Sequence, residues 1–145
     1  MAFRFTLASV LGVRESLERL EELALARIQL EMARVRHEIE KTNADLAEAQ
    51  RVREESMRKP IPAAQLQSML HAADAAAERK AKLIESLVLL EKQRGEQMRA
   101  YQAARRGRQV LSDLREQHLE AWEQEQARTQ QKVLDDIFAS RNQRN

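Results

Sequence analysis

The chain has 145 residues, of which 33% are charged, and its 25 basic and 23 acidic side chains nearly cancel to a formal charge of +2. Its three Gly, two Pro and few aromatic residues argue against a compact globule with a large interior and are typical of long amphipathic helices. The small, interleaved charge disfavours a nucleic-acid-binding protein, and the lack of cysteine excludes disulfides, thiolate metal sites and cysteine nucleophiles.

The residues from Phe3 to Val13 form a short apolar stretch that we interpret as the first turns of a helix. The stretch leads directly into Arg14 and Glu15 without a small-residue cleavage site, so it does not fit a secretory signal peptide. No apolar run approaches the roughly 18 residues that a membrane span needs, so we expect no transmembrane helix.

A first helix is predicted over about residues 6–58, because apolar residues recur there at helical spacing. From Ala24 through Ile28 to Met32 the spacing is four and four, whereas a heptad alternates three and four. We therefore expect a stutter, a local unwinding of the supercoil, near Ile28. The stripe consists of Leu7, Val10, Leu17, Leu20, Ala24, Ile28, Met32, Val35, Ile39, Leu46 and Ala49.

The strongest break in the chain is a turn at about residues 59–62, which contains Pro60 and Pro62. Each proline removes a backbone donor and disfavours helical dihedral angles in the residue before it, so the first helix should end near Met57 or Arg58. Pro62 suits the first position of the helix that follows.

A second helix is predicted over about residues 63–139, followed by a frayed tail at 140–145. Its apolar stripe is as narrow as that of the first helix, which is typical of a seam between two helices. The stripe consists of Leu66, Met69, Ala73, Ala76, Leu83, Leu87, Leu90, Tyr101, Ala104 and Leu111.

The fold class predicted from these elements is all-α: a two-helix antiparallel coiled-coil hairpin, forming a single domain over residues 1–145. A short turn makes consecutive helices antiparallel neighbours, and facing residues should have numbers that sum to about 122. This register sets Met32 beside Leu90 and Leu20 beside Tyr101. The predicted seam consists of Leu17, Leu20, Met32, Val35, Ile39, Leu46, Leu83, Leu87, Leu90, Tyr101 and Leu111.

The second helix is longer, so about 20 of its residues should overhang without a partner helix. Apolar residues in such a segment usually mark a binding site. The overhang carries Trp122, Val133, Leu134, Ile137 and Phe138.

We found no pattern of residues typical of catalysis, metal binding or cofactor binding, so we expect a protein that is not an enzyme. The glycines are isolated rather than grouped in a phosphate-binding loop, and each is interpreted as a tolerated weak point in a helix. The histidines are too far apart for a local ligand pair and lack an accompanying Cys or carboxylate cluster. They are His37, His71 and His118.

Two clusters of basic residues allow two interpretations: a solvated helix face with salt bridges to nearby Glu, or a contact with an acidic partner. Arg94 and Arg108 fall on the seam itself, where we expect them to extend towards solvent and fix the register. The clusters are Arg51, Arg53, Arg58 and Lys59 beside the turn, and Arg105, Arg106 and Arg108 on the second helix.

The opening Met1–Glu15, MAFRFTLASVLGVRE, resembles the amino terminus of the flagellar export protein FliJ family, and Gln130–Phe138, QQKVLDDIF, resembles that family's closing helix. The resemblance implies a soluble stalk component of the flagellar type III export apparatus, similar to the shaft of rotary ATPases and needed for flagellum assembly and motility. It also implies three partners: the export ATPase hexamer, the export gate membrane protein and the export chaperones. The implied location is cytoplasmic, at the inner face of the cell membrane through the apparatus and without direct insertion.

Carried onto this sequence, the resemblance assigns one group of residues to each end of the hairpin. Two alternatives stay open at this point: the stalk protein of a virulence-type secretion injectisome, and a general coiled-coil scaffold whose carboxy-terminal helix pairs with a second copy. The group on the side of the ATPase is Arg4, Arg14, Trp122, Leu134, Asp135, Ile137 and Phe138. The group on the side of the export gate is Leu66, Leu70 and Ala73.

Overall fold

A computed structural model describes residues 2–144 and contains two α-helices, with no β-strand among those residues. Helix α1 spans Ala8–Ser56, with 49 residues, and helix α2 spans Ala63–Gln143, with 81 residues. The helices form an antiparallel hairpin in which the second is the longer, which confirms the predicted fold class.

The link between the helices covers residues 57–62 and is closed by local backbone hydrogen bonds. The amide of Met57 donates to the carbonyl of Arg53 at 2.9 Å, which completes the last turn of α1. The Pro62 carbonyl accepts from the amides of Gln65 and Leu66 at 3.1 and 3.2 Å, so Pro62 precedes the first helical residue and caps the helix. A proline suits this position because the amide that it lacks has no intrahelical partner there.

The outer ends of the helices differ from the predicted ends. Residues 2–5 are non-helical, a turn at residues 6–7 follows, and α1 begins at Ala8. Helix α2 extends to Gln143, so residues 140–143 are helical rather than part of a frayed tail, and Asn145 of that tail lies outside the described residues.

The chain divides into two compact units. We call Glu21–Ala100 the turn unit, and residues 2–20 with 101–144 the terminal unit. In the turn unit, Met32 and Val35 are each 2% exposed and form the centre of the seam. Thr42 is also buried there, and its hydroxyl donates to the Glu38 carbonyl at 2.8 Å, which satisfies the polar group within the helix. The prediction that the whole chain forms one domain stays a prediction.

The seam positions of α1 keep one heptad frame, in which only Arg14 and Ala49 are exposed. Leu25, Ile28 and Met32 are spaced three and four apart and are buried or half-buried, so the predicted stutter near Ile28 is wrong. The pattern was obscured because polar side chains occupy several of its positions. Its buried and half-buried members, together with Leu7 in the turn ahead of the helix, are Leu11, Glu18, Glu21, Leu25, Ile28, Met32, Val35, Ile39, Thr42, Leu46, Arg53 and Ser56.

Two residues assigned to the seam lie outside it. Leu17 is 42% exposed and Leu20 is 61% exposed. Each precedes a polar seam residue, Glu18 or Glu21, and one residue along a helix turns the side chain by about 100°. The apolar character of these leucines therefore misled the sequence-based assignment.

Contacts across the hairpin agree with the predicted register. The residue numbers of the contacting pairs sum to between 118, for Glu21 with Gln97, and 127, for Arg36 with Glu91. The pairs are Glu21 with Gln97 and Arg36 with Glu91 in the turn unit, and Phe3 with Trp122, Phe5 with His118, Arg14 with Gly107 and Glu18 with Arg108 in the terminal unit.

Candidate partner-binding surfaces

An aromatic cluster holds the non-helical residues at the start of the chain against α2. The Phe3 and Trp122 rings lie 6.0 Å apart, and the Arg115 guanidinium lies 5.8 Å from the centre of the Phe3 ring. Phe5, only 6% exposed, meets His118 edge-on at 5.6 Å. Tilted and edge-on aromatic pairs and a cation above a ring are favourable geometries, so this cluster, which we call the N-terminal clasp, fixes residues 2–5 on the second helix.

The N-terminal clasp corrects the expected start of the overhang. Trp122 was expected to lie in the unpartnered part of the second helix, but it is half-buried and packs against Phe3. Because the residues ahead of α1 follow α2 without being helical, they reach farther along it than the helix itself does. Sequence reasoning missed the buried residues Phe5 and Leu11, although Leu11 lies 14 residues, two heptads, before Leu25.

An ion pair occupies the seam of the terminal unit. The Nε of Arg108 donates to a Glu18 carboxylate oxygen at 2.6 Å, and the two side chains are 27% and 18% exposed. The hydrogen bond from Arg108 lowers the pKa of Glu18 below its ordinary value, and partial desolvation of the carboxylate opposes this shift. Arg108 was expected to extend towards solvent and fix the register, and the structure gives it a specific partner on the other helix.

Arg14 lies across α2 at Gly107. A Cβ atom added at Gly107 would come within 3.3 Å of Nη1 and 3.7 Å of Cδ of Arg14. The glycine thus provides the space in which the arginine side chain crosses the second helix. Arg14 was assigned to the ATPase side, and this assignment stays a prediction, but part of its side chain is used for packing within the hairpin.

The turn unit also has a polar contact across its seam. The Nε2 of Gln97 donates to the Glu21 main-chain carbonyl at 3.1 Å and to the Glu21 carboxylate. Both residues are half-buried at heptad positions. Such a specific polar pair favours one register over others, because any slip of the helices would leave its groups unpaired.

The end of α2 exposes a row of large apolar side chains. Val133 is 53% exposed, Leu134 49%, Ile137 45% and Phe138 62%. Val133 and Ile137, like Leu134 and Phe138, are four residues apart, so the two pairs form neighbouring rows along one side of the helix. Asp135 lies between them in sequence, and its carboxylate accepts a hydrogen bond from Gln131 at 3.0 Å.

The residues assigned to the export gate lie near the turn. Leu70 is 44% exposed, whereas Leu66 and Ala73 are half-buried. Ala73 borders a shallow groove with a mainly apolar lining between the two helices. Small side chains on both helices leave this groove open, and Leu66 and Leu70 lie outside it. Its lining includes Ala49, Val52, Arg53, Met69, Ala72 and Ala73.

The basic cluster beside the turn is partly used within its own helix. Arg51 forms ion pairs with Glu48 at 2.7 Å and with Glu55 at 3.0 Å, one turn to either side. These contacts agree with the interpretation of a solvated face with local salt bridges. Exposed pairs of this kind contribute little to stability, because water and dissolved ions screen their attraction.

Among residues 2–144, no group of three or more His, Cys, Asp or Glu side chains could hold a metal ion. In the same part of the chain, neither helix has a stretch with the length and hydropathy required of a membrane span.

The chain was compared with known proteins. A family model described as FliJ, flagellar FliJ protein, matches residues 3–145. No curated protein and no solved structure matches the chain significantly.

Proposed function

The chain belongs to the flagellar FliJ protein family, a family of non-catalytic proteins of flagellar export, and from this membership we propose that it is the stalk of the export apparatus. As a stalk it binds the export ATPase hexamer at one end and the export gate membrane protein at the other. It also escorts export chaperones, and it is associated with the inner face of the cell membrane through these partners.

The observation that carries the ATPase-side assignment is the exposed apolar end of α2. The side chains of Leu134, Ile137 and Phe138 are between 45% and 62% exposed, and all three residues lie within α2, which extends to Gln143. Exposed large apolar residues clustered on one face are the usual anchors of a protein interface. We propose that this face, with Asp135, contacts the ATPase ring, and that Arg4 supplies a charged contact nearby.

At the turn, Leu70 supports a contact with the export gate. Its side chain is 44% exposed on α2, and Leu66 is one turn away, although Leu66 is half-buried in the hairpin. We therefore assign the larger part of the binding energy on this side to Leu70 and a minor part to Ala73.

The charge distribution suits a shaft that meets several ring subunits in turn. Some charged side chains are paired within α1, as Arg34 is with Glu31 at 2.7 Å and Arg51 with Glu48 at 2.7 Å. Such locally paired, solvated charges give weak contacts with other proteins because they are already neutralised and hydrated. A shaft surface of this kind allows rotation, whereas deep burial would hold the ring in one position.

The ATPase-side proposal is tested with purified export ATPase. We expect Phe138→Asp to weaken co-sedimentation with the ATPase hexamer by about 30-fold, the effect of losing an anchor worth about 2 kcal/mol, and to remove stimulation of ATP hydrolysis. Leu30→Asp is the matched control, because Leu30 is an even more exposed apolar residue, at 74%, in the turn unit. Equal effects of the two substitutions, or no effect of either, would refute the assignment. Arg4→Glu should reduce the association rate in a salt-dependent manner.

The gate-side proposal has an equally matched pair of variants. Leu70 and Ile84 are both 44% exposed on α2. We expect Leu70→Asp to weaken binding to the purified cytoplasmic part of the gate protein, and Ile84→Asp to leave it unchanged. If Ile84→Asp weakens binding to the gate protein and Leu70→Asp does not, the contact with the gate lies elsewhere on the chain.

A further inference from the structure

The carboxy-terminal part of α2 packs against no other element among residues 2–144. Residues 123–143 follow the last aromatic contact of the N-terminal clasp, at Trp122, and continue as helix to Gln143. All of them are exposed except Gln126, which is half-buried. A helix with large exposed apolar residues and no covering element gains stability by pairing with another helix.

This segment carries a second heptad seam. Its members follow one another along the segment at alternating spacings of three and four residues. One end of the seam is acidic, its centre is apolar or neutral, and its other end is basic. All eight members are exposed, and Arg144 directly follows the last helical residue. The seam consists of Glu120, Glu123, Ala127, Gln130, Leu134, Ile137, Arg141 and Arg144.

The four charged members of the seam form no ion pair with the residues that the structure describes. They are Glu120, Glu123, Arg141 and Arg144.

An antiparallel second copy matches this seam at every layer. Glu123 then faces Arg141 of the second copy, and the central layers set the small Ala127 opposite the large Ile137. A two-fold axis relates the two copies, so each pair of facing residues occurs twice. The acidic end of each helix then lies beside the basic end of the other. The layers are Glu120 with Arg144, Glu123 with Arg141, Ala127 with Ile137, and Gln130 with Leu134, each formed twice.

A parallel arrangement lacks this complementarity. It would set Glu123 against Glu123 and Arg141 against Arg141 of the second copy, and like charges that face each other are destabilising. The antiparallel arrangement also opposes the two helix dipoles.

We propose that two copies of this chain form an antiparallel homodimer through residues 120–144, held by the apolar centre of this seam and aligned by the reciprocal Glu123–Arg141 pairs. The dimer covers Leu134 and Ile137. It therefore competes with the ATPase ring for the end of α2, a consequence that rests on the proposed function, whereas the pairing itself does not.

Sedimentation equilibrium of the purified chain alone tests the pairing, so a failure of the ATPase-side proposal cannot affect the result. We expect the chain to dimerise with rising concentration. Glu123→Arg should weaken the dimer about tenfold or more, because two attractions between opposite charges become two repulsions between like charges. Adding Arg141→Glu to this variant should restore the dimer.

Glu125→Arg is the matched control for this experiment. It makes the same charge change two residues away, on the opposite side of the helix, where the seam does not pass. We expect it to leave the dimer affinity unchanged. A chain that stays monomeric at all concentrations, a control as damaging as Glu123→Arg, or a double variant that stays weak would each overturn the proposal.

Spin labels determine the direction of the pairing. The chain has no cysteine, so a single Gln124→Cys carries the only label in each copy. In the antiparallel register, residue 124 lies opposite residue 140 of the second copy, and the two labels are about 24 Å apart along the axis at 1.5 Å per residue. A parallel dimer would place the two labels at the same height along the axis, separated only across the two helices, and the absence of an axial separation would refute the arrangement.

Discussion

Replacing the helical glycines with alanine tests the contact between Arg14 and α2. Gly12 and Gly95 each have open space around the position of an added Cβ, with no described atom within 4 Å outside their own helical surroundings. Gly107 differs, because its added Cβ would lie 3.3 Å from Nη1 of Arg14. All three glycines lie within helices, so the three substitutions share the same gain in helix propensity.

The expected magnitudes follow from these distances. Gly→Ala in a helix interior is worth about 1 kcal/mol, and Gly12→Ala and Gly95→Ala should each raise the free energy of unfolding by about that amount. At Gly107 the tip of a flexible arginine must shift by a few tenths of an ångström, which should reduce the gain to below about 0.5 kcal/mol. In an Arg14→Ala background, Gly107→Ala should recover the full gain of about 1 kcal/mol.

Urea denaturation followed by far-UV circular dichroism measures these differences. The decisive quantity is the interaction free energy between the Gly107 and Arg14 substitutions in a double-mutant cycle. The gain in helix propensity from Gly107→Ala is the same in both backgrounds and cancels in this quantity. If Gly107→Ala stabilises as much as Gly95→Ala in both backgrounds, Arg14 does not pack on this glycine and the geometry described for it is wrong.

Two further predictions concern the seam. Met32→Ala should lower the free energy of unfolding by about 2–3 kcal/mol, since the side chain is 2% exposed, whereas Leu30→Ala, at a residue 74% exposed, should change it by less than about 0.5 kcal/mol in the same denaturation assay. The hydrogen bond from Arg108 lowers the pKa of Glu18, so the pair stabilises the fold above the ordinary pKa of a glutamate and loses this effect as the pH falls through the lowered value. Glu18→Gln should therefore flatten the pH dependence of stability below the ordinary pKa of a glutamate, and an unchanged acid profile would contradict the pair.

The turn was predictable because its signal is local. Pro60 and Pro62 act through their own rings and missing amides, so their effect does not depend on the remainder of the chain. The register followed from the turn, because a short link fixes which residues face each other. The two-helix architecture therefore needed no knowledge of tertiary contacts.

The seam in the first half of α1 was not predictable from apolar residues alone. Glu18 and Glu21 occupy seam positions there, and each is tolerated because a residue on the other helix satisfies it: Arg108 in the terminal unit and Gln97 in the turn unit. A search for apolar side chains instead selected Leu17 and Leu20, which lie one position away. The strict recurrence of Leu11, Glu18 and Leu25 every seven residues was the signal that could have identified the correct frame.

Two features of the candidate surfaces were beyond sequence reasoning for a similar physical cause. The N-terminal clasp depends on contacts between non-helical residues and side chains of α2 that are more than 100 residues away in sequence, and no local pattern encodes such contacts. The role of Gly107 depends on Arg14 crossing the other helix at that point. By contrast, the exposed end of α2 was visible in the sequence because it requires only an apolar face and no facing segment.

The N-terminal clasp also affects the choice of fusion proteins for this chain. With Phe3 packed on Trp122, an affinity tag or fluorescent protein attached ahead of residue 2 would emerge beside the base of the exposed segment of α2. A bulky fusion there would sterically hinder access to the exposed segment of α2. Pull-downs with such a fusion would therefore understate the binding of partners to that segment. A label inserted in the loop at residues 57–62 belongs to the other compact unit and leaves the N-terminal clasp intact.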